Sequence, residues 1–201
     1  MNSLTKAVEV IKQGGIVIFP TDTAFGIGCR IDDEKAVERL FEIRKRPLTQ
    51  ATPVLFDSIE RVREFVLPLG SSQGKPFSPD VEGLMKKYWP GALTIVLDCI
   101  EKNVPSLVRG GGKTIGVRIP DHEMIQRLIL EANVPILGPS ANFHGEKTPY
   151  KFEALDKELI KLVDFVLEGK TKGESLTSTV VDCTNSPWKI VRQGAVRVIY
   201  D

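Results

Sequence analysis

Histidine, cysteine and aromatic residues are scarce in this sequence, and each scarcity closes a class of function. The two histidines, His122 and His144, carry no metal-ligand spacing. Cys29, Cys99 and Cys183 are odd in number, far apart and without CxxC spacing. That excludes a disulfide framework or a cysteine zinc site and fits a reducing cytoplasm. Aromatic residues make up 7%, and most of the phenylalanines fall on apolar faces, a poor stacking platform for single-stranded nucleic acid. No apolar run approaches the roughly 18 residues needed to cross a bilayer. The opening Met1-Asn2-Ser3-Leu4-Thr5-Lys6 has no charged segment followed by an apolar one, so no signal peptide is expected. Neither sign of charge dominates, with 27 basic against 26 acidic residues, so no global field points to nucleic acid.

What is present is an ordinary core and a patterned chain. Apolar residues are 42% of 201, enough for one domain spanning 1–201, and no repeat, low-complexity tract or linker interrupts it. Ser3 is placed to cap a first helix ending at Gly14-Gly15, followed by strands over 16–19 and 25–31. Asp32 or Asp33 caps a helix carrying Ala36, Val37, Leu40, Phe41 and Ile43, and a basic loop, 44–52, leads to a strand near 53–56. Helices are expected from Ser58 to about Val66 and from Pro79 to Trp89, with an exposed loop, 67–79, between them. Strands over 92–98 and 114–119 flank a glycine-rich loop. A helix with Ile125, Leu128 and Ile129, a strand over 134–137, a polar loop over 138–150 and a helix from about 152 follow. Short strands at 163–167, 178–183 and 188–199 close the chain, the last a hairpin through Gly194. Several strands follow one another without a crossover, which favours an α/β fold with a mixed parallel and antiparallel sheet.

Balanced totals hide uneven charge. No acidic residue lies between Glu42 and Asp57, between Glu101 and Asp121, or between Asp182 and Asp201, yet Arg44, Lys45, Arg46, Lys102, Arg109, Lys113, Arg118, Lys189, Arg192 and Arg197 do. Converging, these stretches make a cationic concavity suited to phosphates; apart, they are three solvated faces. Familiar nucleotide motifs fail. Gly112-Lys113-Thr114 has Leu107 where a P-loop needs glycine, and a strand pattern where it needs a helix. Gly26-Ile27-Gly28 has Ile31 where a dinucleotide fold needs its third glycine. A triad of Ser140, His144 and Asp182 has no nucleophile elbow to support it.

The segment Ile16-Val17-Ile18-Phe19-Pro20-Thr21-Asp22-Thr23-Ala24-Phe25-Gly26-Ile27-Gly28-Cys29 is the most informative. A buried strand stops at proline, and three hydrogen-bonding side chains stand in a row before the next strand, as hydroxyls presented at the mouth of a sheet. With Arg44-Lys45-Arg46-Pro47, Trp89-Pro90-Gly91, Thr114-Ile115-Gly116-Val117-Arg118-Ile119-Pro120, Ser140-Ala141-Asn142, Ser178-Thr179-Val180-Val181-Asp182 and Arg192-Gln193-Gly194, it resembles, in order, the YrdC-like family of threonylcarbamoyl-AMP synthases. The likeness runs from about residue 16 to 198. It implies a twisted mixed sheet curled around a basic cavity, in the family's short form. It also implies a reaction of L-threonine, bicarbonate or CO2 and ATP, giving threonylcarbamoyl-AMP and pyrophosphate, which partner proteins use to modify tRNA.

Residue by residue, the resemblance implies L-threonine contacts at Thr21, Thr23, Arg118 and Ser178, with Arg118 pairing the carboxylate. It implies ATP contacts at Arg44, Arg46, Thr114, Ser140, Asn142, Thr148 and Arg192, with Arg44 and Arg46 as the catalytic cations. Mg2+ would arrive with the nucleotide, because no carboxylate cluster is visible to hold it alone. The chain departs from the family pattern at three positions: Arg44 stands where lysine is usual, Phe25 where tyrosine is common, and His144 where serine is common. The spacer from Pro47 to Pro53 is also long. An RNA-binding module, contacting tRNA or double-stranded RNA, or a drifted paralogue without efficient synthesis is the alternative.

Overall fold

The structure is a computed structural model that describes residues 2–68, 77–173 and 175–199. Helix α1 (Ser3–Lys12) buries Leu4, Ala7, Val8 and Ile11. Its cap is Asn2, whose Oδ1 accepts from Leu4 N–H, so Ser3 is already helical rather than the expected cap. Strands β1 (Val17–Pro20) and β2 (Phe25–Gly28) are antiparallel and wholly buried. Helix α2 (Glu34–Arg44) is capped by Asp33, whose Oδ1 accepts from Ala36 N–H, while Asp32 pairs with Arg30. Arg44 closes this helix rather than opening a loop. Lys45 beyond it is left-handed, and Arg46 N–H bonds back to the Phe41 carbonyl.

Strand β3 (Val54–Leu55), helix α3 (Ile59–Arg63), helix α4 (Pro79–Tyr88), strand β4 (Leu93–Asp98) and strand β5 (Thr114–Arg118) follow. Residues 69–76 of the expected loop lie outside the described residues. Helix α5 (Glu123–Ala132) packs on α1 through Ile125, Leu128, Ile129 and Ala132. Strand β6 (Ile136–Leu137) leads to the polar loop. The helix expected from 152 is instead a 3-10 turn, Phe152–Ala154, followed by α6 (Lys157–Leu162) with Asp156 as its cap. Strands β7 (Phe165–Val166), β8 (Thr179–Asp182) and β9 (Lys189–Arg192) complete the set. The closing hairpin is β8 with β9, turning through 183–188. It does not pass through Gly194, which sits beyond β9 against the backbone of Thr177 and Ser178.

Two sheets result, β2-β1-β7 and β6-β3-β5-β4-β8-β9, with both parallel and antiparallel pairs in each. Segment 135–141 joins them. Along one side its backbone bonds to Phe25, Ile27, Cys29 and Ile31; along the other, β6 pairs with β3. The contact is close: a Cβ on Gly28 would collide with the Leu137 carbonyl. The glycines of Gly26-Ile27-Gly28 therefore serve sheet packing. The apolar layer beneath the joined sheets is buried, from Ile16, just before β1, through Phe19 on it, and at Leu93, Ile95 and Leu97 on β4. The opposite, concave face of β4 and β5 carries Thr94, Gly116 and Arg118.

Candidate active site

One cleft opens over that concave face, enclosing about 670 Å3 of space that is partly open to solvent. Thr21, Thr23, Arg44, Arg46, Arg118, Ser140, Ser178 and Arg192 all line it, together with Thr94 and Thr177. The three acid-free stretches of the sequence thus meet, each contributing arginine. Among the described residues, four guanidinium groups and no carboxylate line the cleft.

The β1–β2 connection forms one wall, built by its own hydroxyls. Thr21 Oγ1 donates to the Ala24 carbonyl at 2.7 Å and accepts from Thr23 N–H and Ala24 N–H. Its hydrogen-bonding capacity is engaged within the turn. Thr23 Oγ1 lies 3.1 Å from Thr21 Oγ1 and accepts from Arg118 Nη1–H at 3.1 Å. A backbone strap crosses outside. Lys172 N–H donates to the Thr21 carbonyl, and Gly173 approaches so closely that a Cβ would collide with the Thr23 backbone.

Arg118 is held on three sides. Its Nε donates to the Gly91 carbonyl at 3.0 Å, Nη1 to Thr23, and Nη2 to Asp22 Oδ1 at 2.6 Å. Both side chains of the Arg118–Asp22 pair are 7% exposed. Asp22 was not among the expected site residues, and only the fold brings it to Arg118, 96 positions away. Across the floor, Thr94 Oγ1 and Ser178 Oγ share a hydrogen bond of 2.9 Å. Arg192 donates from Nε and Nη2 to the Ser178 carbonyl and from Nη2 to Ser178 Oγ at 3.2 Å. Burial, with Arg118 nearby, lowers the Arg192 pKa from its ordinary value, and Tyr150 opposes that shift.

Arg44 is 3% exposed at the end of α2, where the helix dipole favours a cation. Its Nε donates to the Asn142 carbonyl and its Nη2 to Asn142 Oδ1, both at 3.1 Å. Its Nη1 is buried without a partner among the described residues, a donor available to an anion. Burial, and then the charge of Arg46, lowers its pKa to about 10, so it stays a cation at neutral pH. Burial also lowers the pKa of Arg46. Asn142 is engaged as a bracket: Oδ1 also accepts from Ser140 Oγ–H at 2.6 Å, and Nδ2 donates to the Glu146 carbonyl. It stands behind Arg44 rather than on the cleft surface. Thr114 shares the face of Arg118 but lies two pleats away, outside the lining, as does half-buried Thr148. Phe25, on the cleft wall, is fully buried and meets Phe152 edge to face at 6.1 Å. Among the described residues, no group of three histidine, cysteine or acidic side chains is disposed to hold a metal ion.

Comparison with known proteins places this architecture. The Sua5/YciO/YrdC family model, whose description reads telomere recombination, matches residues 9–194. A Pyrococcus abyssi protein named threonylcarbamoyl-AMP synthase is 33% identical over 94% of this chain and 53% of its own. The solved structure of P. abyssi Sua5 complexed with L-threonine superposes with a TM-score of 0.84 at 31% identity, covering 95% of this chain and 54% of that one. Escherichia coli YciO superposes with a TM-score of 0.81 at 28% identity, covering 95% of this chain and 88% of that one. The chain thus spans about half the length of the P. abyssi proteins it matches.

Proposed function

This chain belongs to the Sua5/YciO/YrdC family, and from that premise we propose that residues 1–201, as one unit, synthesise threonylcarbamoyl-AMP from L-threonine, bicarbonate or CO2, and ATP. The observation that carries the reading is the cleft itself, lined by four arginines and paired hydroxyls and, among the described residues, by no carboxylate. Such a lining suits a reaction that brings two anions together and develops charge on phosphate oxygens.

The chemistry follows from those donors. The amine of L-threonine takes up CO2, losing a proton, to give a carbamate. A carbamate oxygen attacks the α-phosphorus of ATP, and the bond to the β-phosphate oxygen breaks, releasing pyrophosphate. Arg118 and Ser178, walled by Thr21 and Thr23, hold the amino acid. Arg44, with its unpartnered Nη1, Arg46, Arg192 and Ser140 hold the triphosphate, and Asn142 braces Arg44. Thr114 and Thr148, the other two expected ATP contacts, lie outside the lining. Mg2+ would arrive with the substrate: among the described residues no carboxylate lines the cleft to hold it, and on the nucleotide it would add charge neutralisation. The class is nucleotidyl transfer, the setting cytoplasmic, and the product feeds tRNA modification by partner proteins.

The test is pyrophosphate release by the purified protein. Release is expected only when ATP, L-threonine and bicarbonate are all present. A second reading, a paralogue without efficient synthesis, is favoured by the departures from the family pattern at Arg44, Phe25 and His144. Absence of release with all three substrates, together with tight tRNA binding, would decide against the synthase.

A further inference from the structure

The floor of the cleft is a single row across the sheet. Leu55 pairs with Arg118, and one step beyond the Ile95–Val117 pair puts Thr94 opposite Arg118. Thr94 pairs in turn with Val180, and Val180 with Arg192. Thr94 therefore stands at the centre, with a guanidinium on the neighbouring strand to one side and Ser178 to the other. It is 3% exposed and lines the cleft, yet it belongs to none of the sequence motifs.

The protons on this floor can be counted. Thr94 and Ser178 hold two hydroxyl protons, and one makes the bond between them. Arg192 reaches Ser178 Oγ, but a guanidinium can only donate. One hydroxyl proton is left, with no protein acceptor among the described residues. Arg118 has five N–H groups, of which Gly91, Thr23 and Asp22 engage three. Two more remain, on a side chain that lines the same cleft from the strand next to Thr94. A free hydroxyl proton beside a guanidinium with two free N–H groups suits a ligand with two acceptor oxygens.

We propose that Thr94 is a substrate-positioning residue, and that the α-carboxylate of the amino acid lies across Arg118 and the Thr94–Ser178 hydroxyl pair. This rests on the proposed amino-acid reading of the cleft and adds the residue that completes the carboxylate's seat. Thr94 either gives its own proton to the carboxylate or fixes the direction in which Ser178 gives its proton. In both cases loss of the Thr94 hydroxyl leaves the pair without its ordered donor.

The test uses the whole chain and calorimetric binding of L-threonine and of L-threoninamide, which lacks the carboxylate. Thr94→Val keeps the side-chain shape. It is expected to weaken L-threonine roughly tenfold or more, the loss of a hydrogen bond to a charged group, and to leave threoninamide within about twofold. Thr94→Ser should restore threonine binding, and the KM for ATP should not move. Equal losses for threonine and the amide, or no rescue by serine, would mean a packing role and overturn the proposal. If wild-type protein binds a different α-amino acid and Thr94→Val weakens that one, the carboxylate seat stands and the threonine reading falls. If wild-type protein binds no amino acid, both fall.

Discussion

At the scale of single residues, the site depends on charges removed from water and then held. The Arg118–Asp22 pair is the extreme case, with both side chains almost fully covered and 2.6 Å apart. Such a pair adds little net stability, but removing one partner strands the other. Asp22→Ala should therefore cost about 3–5 kcal/mol of unfolding free energy, measured by urea denaturation, whereas Asp22→Asn, which keeps an acceptor for Arg118, should cost less than half as much. Equal costs would mean that the charge, which both variants remove, carries the whole effect and that the retained acceptor contributes nothing. Arg44 shows the complementary arrangement. Two of its nitrogens are bracketed by Asn142, and the third is buried without a partner. That is why its cationic form is penalised while its geometry stays fixed.

At the scale of elements, short strands are held by what they meet rather than by propensity. Strand β7 is two residues long and follows Asp164, whose Oδ2 accepts from Ile16 N–H at 2.7 Å and from Arg39 on α2. Asp164 thus ties three elements together. Its hydrogen bond to Arg39 dominates the forces that hold its carboxyl below the usual range. A carboxyl with a lowered folded pKa stabilises the native state above its unfolded pKa of about 3.9, and the contribution is lost as pH falls through the folded value. Stability measured from pH 7 down to 3 should therefore fall less steeply in Asp164→Asn than in the wild type, the two converging at the acid end; parallel curves would contradict this.

The same logic explains what the sequence made legible. Helices α2, α4 and α5 carry their apolar stripes, and α2 and α4 their caps, in the local pattern. The closing hairpin was misplaced because Gly194 is a strong local turn signal. The actual turn, 183–188, is set by the pairing of β8 with β9. In the site, hydroxyl-rich and arginine-rich motifs stood out as composition. Asp22 stood in the polar turn without its role, and Thr94 stood in no motif, because their partners lie 96 and 84 positions away. A lone threonine in the apolar run Leu93–Asp98 was the one visible sign, a polar side chain on a face that alternation sets apart from the core.

At the scale of the whole molecule, the cleft is assembled from the β1–β2 turn, the end of α2, segment 138–140, strands β3, β4, β5 and β9, and residues 177–178 just before β8. Segment 135–141 stitches the two sheets together along its edge. No single stretch of chain contains the cleft, so a ligand that fills it binds only the folded protein. At a hundredfold excess over Kd, that linkage is worth about 2.7 kcal/mol. For a chain of this size, each kcal/mol moves the melting point by about 2–4 °C, so saturating ATP, or saturating L-threonine, should raise Tm by roughly 5–11 °C. The two shifts should separate by variant. Arg44→Ala removes the unpartnered donor and should abolish most of the ATP shift while leaving the threonine shift, because Arg118, Thr94 and Ser178 are untouched. Loss of both shifts in Arg44→Ala would mean that the cleft is one undivided anion site. A net charge of only +1 gives duplex RNA no general field to follow. A larger shift from RNA than from ATP and threonine together would therefore identify this arginine-lined face as a binding surface and remove the case for chemistry on it.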